Sequence, residues 1–315
     1  MTTAFTLAFL VFSDRIHIWH ILTLSFVTGI AQAFGGPAYQ SLIPSLIPKE
    51  TLPNAIALNS IQFNLARVIG PIVAGAALTA FGMVACFGLN GISFLFVIAA
   101  ILALHVKHVR STDAAGMRAQ LKGGLQYVRH QPQLVTLTVL GFIAAFLGLP
   151  LLTFLPIIIK DVFQQGVGLY TQFMTIAGIG AVLGALSVAW IGKHRHMGLM
   201  LLVMQAMLGV IAMGFALSRS IWLSQVLLFV GGAMLVTTFS MTTSLVQLLA
   251  PQELRGRVVS IYMVAFRGGS PLGGLVSGWL VTQIGSAPYV LALNGALLTI
   301  VALVVMTRDH GLRDL

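Results

Sequence analysis

The stretch Ser41–Gly82, SLIPSLIPKETLPNAIALNSIQFNLARVIGPIVAGAALTAFG, decides how the rest of the chain is read. A second, degraded copy lies 203 residues later at Ser244–Gly285, SLVQLLAPQELRGRVVSIYMVAFRGGSPLGGLVSGWLVTQIG. In that register Ser41/Ser244, Leu42/Leu245, Leu46/Leu249, Pro48/Pro251 and Glu50/Glu253 coincide, as do Phe63/Phe266, Gly70/Gly273, Gly75/Gly278 and Gly82/Gly285. Each copy ends one apolar segment at a Pro-x-Glu turn and opens another spaced by glycines. A period this long divides a chain into two similar halves.

Composition names the solvent. Hydrophobic residues make up 58% and charged residues 8% of the 315 positions, with a mean hydropathy of +0.98. A water-soluble core cannot hold that much apolar residue without coating its own surface in it, and such surfaces aggregate. Most of the chain is therefore expected to face lipid. One cysteine, Cys86, excludes an intrachain disulfide framework and supplies no metal-site spacing. The net charge of +10 is no nucleic-acid signal, because the basic residues lie between apolar runs and not on one face.

A helix rises about 1.5 Å per residue across about 30 Å of hydrocarbon, so apolar runs near twenty residues are candidate spans. They fall at about 18–36, 55–81, 83–104, 134–158, 169–191, 197–217, 221–249, 258–284 and 287–306. Thr2–Phe12 is apolar but too short to span alone, and no basic region precedes it as in a signal peptide. The fold class expected is an all-α polytopic membrane protein.

Alternating loops put Lys49, Lys107, Arg110, Arg118, Lys122, Arg129, Lys193, Arg195, Arg255, Arg257, Arg308 and Arg313 on one side. The other side holds only Arg15, Lys160 and Arg219. This bias assigns the first set, and the C-terminus with it, to the cytoplasm. Within the long polar connection 105–133, Met117, Leu121, Leu125 and Val128 recur at helical spacing. They predict an amphipathic helix on the cytoplasmic surface. The domains expected are a helical bundle at 1–104, a basic linker at 105–133, a second bundle at 134–307 and a tail at 308–315.

The period also works as a ruler. Shifted back by 203 residues, 221–249 falls on 18–46, and 197–217 falls on the short first segment. The segments 134–158 and 169–191 fall before Met1. The expectation is that two helices and about seventy residues precede this chain in a six-plus-six arrangement. About ten helices would then be present, the first one partial.

Two parallel six-helix halves joined by a basic loop resemble the major facilitator superfamily. FGGPAYQSLIPSLIPKETLPNAIALNS, FNLARVIGPIVAG and PQELRGRVVSIYMVAFRGGSPLGGLVSG resemble its transmembrane secretion effectors, a group that includes the enterobactin exporter and macrolide efflux proteins. GPIVAG at Gly70–Gly75 is similar to the antiporter motif G-P-x-x-G-G, with Ala74 in place of one glycine. GALSVAWIGKHRH at 184–196, with Gly184, Lys193 and Arg195, is similar to the cytoplasmic loop motif G-x-x-x-D-R-x-x-R-R without its aspartate. The resemblance implies a secondary transporter of a bacterial inner membrane, exporting small amphipathic molecules such as siderophores or drugs. It implies action as a monomer, a proton as coupling ion and no cofactor or metal.

Several residues are candidates for that work. Asn59, Asn64 and Arg67 form a polar stripe with Ser60 on one helix, and Tyr262 and Arg267 lie on its repeat partner. An arginine inside a span costs about 2.5–3.5 kcal/mol, so it faces a cavity or a partner, or snorkels to the headgroups. The first reading makes Asn59, Asn64, Arg67, Tyr262 and Arg267 the wall of a substrate cavity. Gly70, Pro71, Gly75, Gly269, Pro271, Gly273 and Gly274 allow close helix packing, and the prolines could shape a gate. The run Thr237–Ser244 and the lone amides Gln32, Gln40, Gln205 and Gln225 read as structural polar groups.

All seven carboxylates fall in loops or tails. Arginine does not release its proton in proteins. The proton carrier is therefore expected on the two helices that the ruler places before Met1. Glu50 and Glu253 read as partners of nearby arginines or caps of the helices that follow. The alternatives are a fragment that does not transport and an integral membrane enzyme. The latter lacks paired aspartates or clustered histidines.

Overall fold

The computed structural model describes residues 1–46, 52–104, 117–191, 196–251 and 254–313. At 33–34, 36–45, 52–61, 63–64, 67–68, 71–72, 79, 117–122, 189, 191 and 310 it describes the backbone alone. The described residues are almost wholly helical and contain no strand. The chain divides into two units, Met1–Thr112 and Asp113–Leu315.

The first unit holds α1 (Thr2–Phe12), α2 (Ile18–Leu46) and α3 (Leu52–Ala103). The span expected at 18–36 is longer than read: α2 continues through Gly35, Gly36 and Pro37 to Leu46. Glycine and proline are tolerated inside membrane helices, where they are poor stop signals. The ruler, which had projected 18–46, was the better guide than local composition. Helix α3 is two helices in one run, broken at Gly82, where φ is 77° and ψ 179°. That region of backbone space is essentially reserved for glycine. Inside this unit Phe5 of α1 lies against Gly91 of α3, where an added Cβ would sit 2.7 Å from the ring. Thr28 Oγ1 of α2 donates to Thr3 Oγ1 of α1 at 3.1 Å.

The second unit begins with α4 (Met117–His130), the amphipathic helix expected in the linker. Of the face expected from Met117, Leu121, Leu125 and Val128, the side chains of Met117 and Leu121 lie outside the described residues. Val128 is buried and Gly124 lies against Arg257 and Ile261, but Leu125 points outward. The glycine lets α4 approach the helix that carries Arg257 and Ile261, and the contact is centred on Gly124 and Val128, which leaves Leu125 at its edge.

Helix α5 (Pro132–Asp161) follows and is interrupted. A π-turn occupies Ala144–Gly148, Pro150 opens a short turn, and Pro156 lies within the last segment, Leu155–Asp161. Then come α6 (Val167–Ile191), α7 (Met197–Leu217), α8 (Ile221–Leu249), α9 (Arg255–Ile284), α10 (Ala287–Arg308) and the single turn α11 (His310–Arg313). Ser220 caps α8 by accepting from the Leu223 N–H at 3.5 Å. Gly285 ends α9 in the left-handed conformation at φ 74°.

Three buried clusters fill this unit. One holds Leu137, Leu140, Leu201, Leu202, Met241 and Tyr262. A second holds Ile158, Phe173, Phe215 and Leu228. Between them, Ala144, Leu147, Leu208, Leu235 and Leu298 form a third. Helices cross most closely where glycine faces backbone: Gly180 on Phe229, Gly184 on Ala233, Gly232 on Ala177 and Gly273 on Phe146. Such contacts drive association where lipid removes the hydrophobic incentive.

Six described helical stretches are long and apolar enough to cross a membrane: Ala80–Ala103, Pro132–Asp161, Val167–Val188, Met197–Leu217, Ile221–Leu249 and Ala287–Arg308. Helix α9 has thirty residues, about 45 Å of rise, but is too polar for that set.

Candidate functional site

Helix α9 carries the clearest division of labour in the second unit. Val258, Tyr262, Gly269, Gly273 and Ser277 form its buried stripe. They are spaced by four or seven residues, one or two helical turns, so they lie on one face. Gly269 and Gly273 bring that face onto the α5 backbone at Phe142 and Phe146. The Tyr262 ring fills the space above Gly141, where an added Cβ would be 2.5 Å from Cε2. Its hydroxyl meets Thr243 Oγ1 of α8 at 3.4 Å. Phe266 stacks on Tyr262 with ring centroids 6.0 Å apart, and Phe239 meets Phe266 edge-on at 4.5 Å. Tyr262 thus belongs to the packing between α5, α8 and α9, not to an open wall.

Arg267 is on the other side of the same helix. It is exposed together with Val264, Pro271, Leu272 and Leu275. Five residues turn a helix by well over one revolution, which separates Arg267 from the buried Tyr262. The structure therefore splits the pair that the sequence grouped. Gly274 lies off the packed stripe, with nothing within 4 Å of an added Cβ.

In the first unit Asn59, Asn64, Arg67 and Pro71 lie on α3, and their side chains are outside the described residues. Gly75 is buried. Gly70 is exposed, with nothing within 4 Å of an added Cβ among the described residues. Gly184, expected in a loop motif, is inside α6, where it packs on α8 and its carbonyl accepts from Thr237 Oγ1 at 3.3 Å. Helix α6 runs past it to Ile191, where the span expected at 169–191 ends. Lys193 and Arg195 lie outside the described residues, as do Glu50 and Glu253. Among the described residues no three His, Cys, Asp or Glu side chains come together, so none is arranged to hold a metal.

Other polar contacts escaped the sequence reading. Asn294 Nδ2 of α10 donates to Ser277 Oγ of α9 at 2.9 Å, both buried. Asn294 is a lone amide in an apolar run, the same signal that marked Gln205 and Gln225. Thr299 of α10 reaches the Ala206 carbonyl of α7 at 3.2 Å. The C-terminal turn α11 docks back onto the bundle. Leu312 is fully buried, Asp309 accepts from Thr136 Oγ1 at 2.9 Å, and Asp309 Oδ1 caps the Leu312 N–H at 2.9 Å. In the first unit a cavity of about 710 Å³ is lined by Thr3, Thr28, Gln32, Asn90 and Phe94 among others.

Relatives agree with this architecture. The chain is 24% identical to the staphyloferrin A transporter of Staphylococcus aureus over 258 residues, 81% of this chain and 64% of that one. It is 28% identical to the multidrug efflux pump Tap of Mycobacterium tuberculosis over 307 residues, 94% of this chain and 72% of that one. It thus spans less than two thirds of the first relative's length. In fold it is similar to a bacterial homologue of the human lysosomal transporter Spinster, in an inward-facing and occupied conformation. That match has a TM-score of 0.69 at 12% identity and covers 99% of this chain and 82% of the other. The transmembrane secretion effector family matches residues 1–311. The chain is therefore a multi-pass membrane protein that belongs to the transmembrane secretion effector family of the major facilitator superfamily.

Proposed function

We propose that this chain works as a secondary active transporter that exports small amphipathic molecules, of siderophore or drug type, by alternating access. The observation that carries the reading is α9. It is long enough to span, too polar to sit wholly in lipid, and it presents Arg267 on its exposed face. A charge there is tolerable where the face meets water or a polar solute. The names of the relatives support the same class of cargo: a siderophore transporter and a multidrug efflux pump. The interruptions of α5 at Ala144–Gly148, Pro150 and Pro156 support a helix that bends as access changes.

In this reading the bundles are 1–104 and 134–307, linked by 105–133, with 308–315 as the cytoplasmic end. The monomer sits in a bacterial inner membrane and is driven by protons. In the second unit Arg267 holds anionic or catecholate groups of the cargo, and in the first unit Asn59, Asn64 and Arg67 serve as cargo-binding residues of their own bundle. Gly70 and Pro71 in the first unit and Pro271 in the second let their helices bend as access changes, and Tyr262 holds α9 against α5 and α8.

The test is uptake into inverted membrane vesicles from cells expressing the chain, with an iron-free carboxylate siderophore and a macrolide as cargoes. The expected result is uptake of at least one, abolished by a protonophore. Arg267→Gln should lower uptake of the siderophore about ten-fold, the worth of one charged hydrogen bond. Uptake equal to that of vesicles lacking the chain overturns the proposal.

A further inference from the structure

Four buried side-chain polar atoms of the second unit have no hydrogen-bond partner among the described residues: Thr175 Oγ1 on α6 and, on the consecutive helices α7 and α8, Gln205 Oε1, Gln205 Nε2 and Thr238 Oγ1. Gln205 and Thr238 are 0% exposed. An amide and a hydroxyl buried dry cost several kcal/mol together, so a native interior pairs such groups with protein or with water.

Their positions in the bundle converge. The side chains of Leu208, Leu235 and Leu298 all come within 4 Å of the Cβ position of Gly148, and they share one buried cluster. Gln205 lies one turn before Leu208 on α7, and Thr238 lies one turn after Leu235 on α8. The two helices are consecutive and joined by a short turn, so those steps lead the same way along the bundle. One further turn on each reaches Leu201 and Met241, which share the next cluster. Gln205 and Thr238 thus occupy one layer between two apolar layers. Ala144 of α5 and Ala302 of α10, both fully buried, lie one turn from Gly148 and Leu298 in the same direction. The side chains at that level on α5 and α10 are therefore small and apolar and offer the amide no hydrogen-bond partner.

We propose that Gln205 and Thr238 form an internal water site in the second unit, enclosed between the two leucine clusters. The chemistry fits water: the amide donates from Nε2 and accepts at Oε1, and the hydroxyl does both. Three protein atoms match the usual number of hydrogen bonds to a buried water. An apolar occupant would leave all three atoms unpaired. The site lies beside the π-turn of α5, so the water can exchange partners as that segment adjusts without a protein donor being stranded.

The experiment uses the full chain, labelled with ¹⁵N-glutamine and reconstituted in bilayers, and reads proton transfer from water to side-chain amides by solid-state NMR. The Gln205 signal is the one lost in Gln205→Leu. It should show water transfer in the unaltered chain, fall at least two-fold in Thr238→Val, and return in Thr238→Ser. Thr238→Val preserves volume, which keeps the comparison on a folded protein. Absence of water transfer to Gln205, or transfer undiminished in Thr238→Val, overturns the proposal.

Discussion

The two copies of the repeat, 41–82 and 244–285, share their ladder of elements and differ in what their small and polar residues touch. Shifted by 203 residues, α8 lies on α2 end for end, α9 begins where α3 begins, and Gly285 falls on Gly82. Both glycines take positive φ, 77° and 74°. Within that common frame Gly273 is wedged on the Phe146 backbone, but its mate Gly70 has open space around it among the described residues. Asn294 and Ser277 bridge α9 and α10, and the first copy has Gly91 and Ala74 there. Even the arginines trade places: Asn64 and Arg67 align with Arg267 and Ser270. A repeat therefore transmits helix length and turn position more faithfully than contacts. The former depend on backbone and hydropathy, the latter on what each helix meets.

The largest expected effect separates the two packing glycines. Gly273→Ala should cost about 3 kcal/mol, because a main-chain obstacle cannot move aside as a side chain can, whereas Gly70→Ala should cost nothing measurable. Thermal unfolding in detergent, followed by tryptophan fluorescence, reads both. Equal losses would break the contrast.

Next are the breaks between paired helices. Gly82→Asn should cost about 2–3 kcal/mol, since ψ near 180° at positive φ admits essentially only glycine. Gly285→Asn should cost well under half of that, because asparagine tolerates the left-handed conformation. The same unfolding assay ranks them, and a reversed order would show that the two breaks are not built as described.

A smaller effect concerns the end of the second unit. Val106 holds in the first copy the place that Asp309 holds in the second. Asp309→Ala removes the cap of α11 and the partner of Thr136. It should cost about 1 kcal/mol and speed amide exchange at 310–313, read by hydrogen–deuterium exchange. Exchange unchanged at these amides would mean that Leu312 alone holds the turn. The smallest effect is Ser277→Ala, about 0.6 kcal/mol, the mean value of a polar contact between membrane helices. A loss several times larger would make the Asn294 bridge a mainstay of the α9–α10 pair.

Much of this was open to sequence reading, for reasons visible in particular residues. Hydropathy located α7, α8 and α10 closely, since long apolar runs flanked by Arg219, His196 or Pro251 leave few choices. The candidate site was less legible. Tyr262 and Arg267 are five residues apart and look like neighbours, but a helix turns one into the protein and the other out. Gly184 reads as the first residue of a motif that runs into a basic turn, and its neighbour Ala233 on another helix is not legible in that motif.

By itself the sequence determined that this chain is a lipid-dwelling bundle with two related halves and a family identity. Those properties rest on composition, period and local backbone preference. Only the tertiary structure decided which glycines pack, which face of α4 is buried, and that the C-terminal turn docks. It also decided that Gln205 and Thr238 share a layer. Contacts between helices depend on rotation and depth, and a change of one residue in either swings a side chain by about 100°. Hydropathy alone does not set that angle.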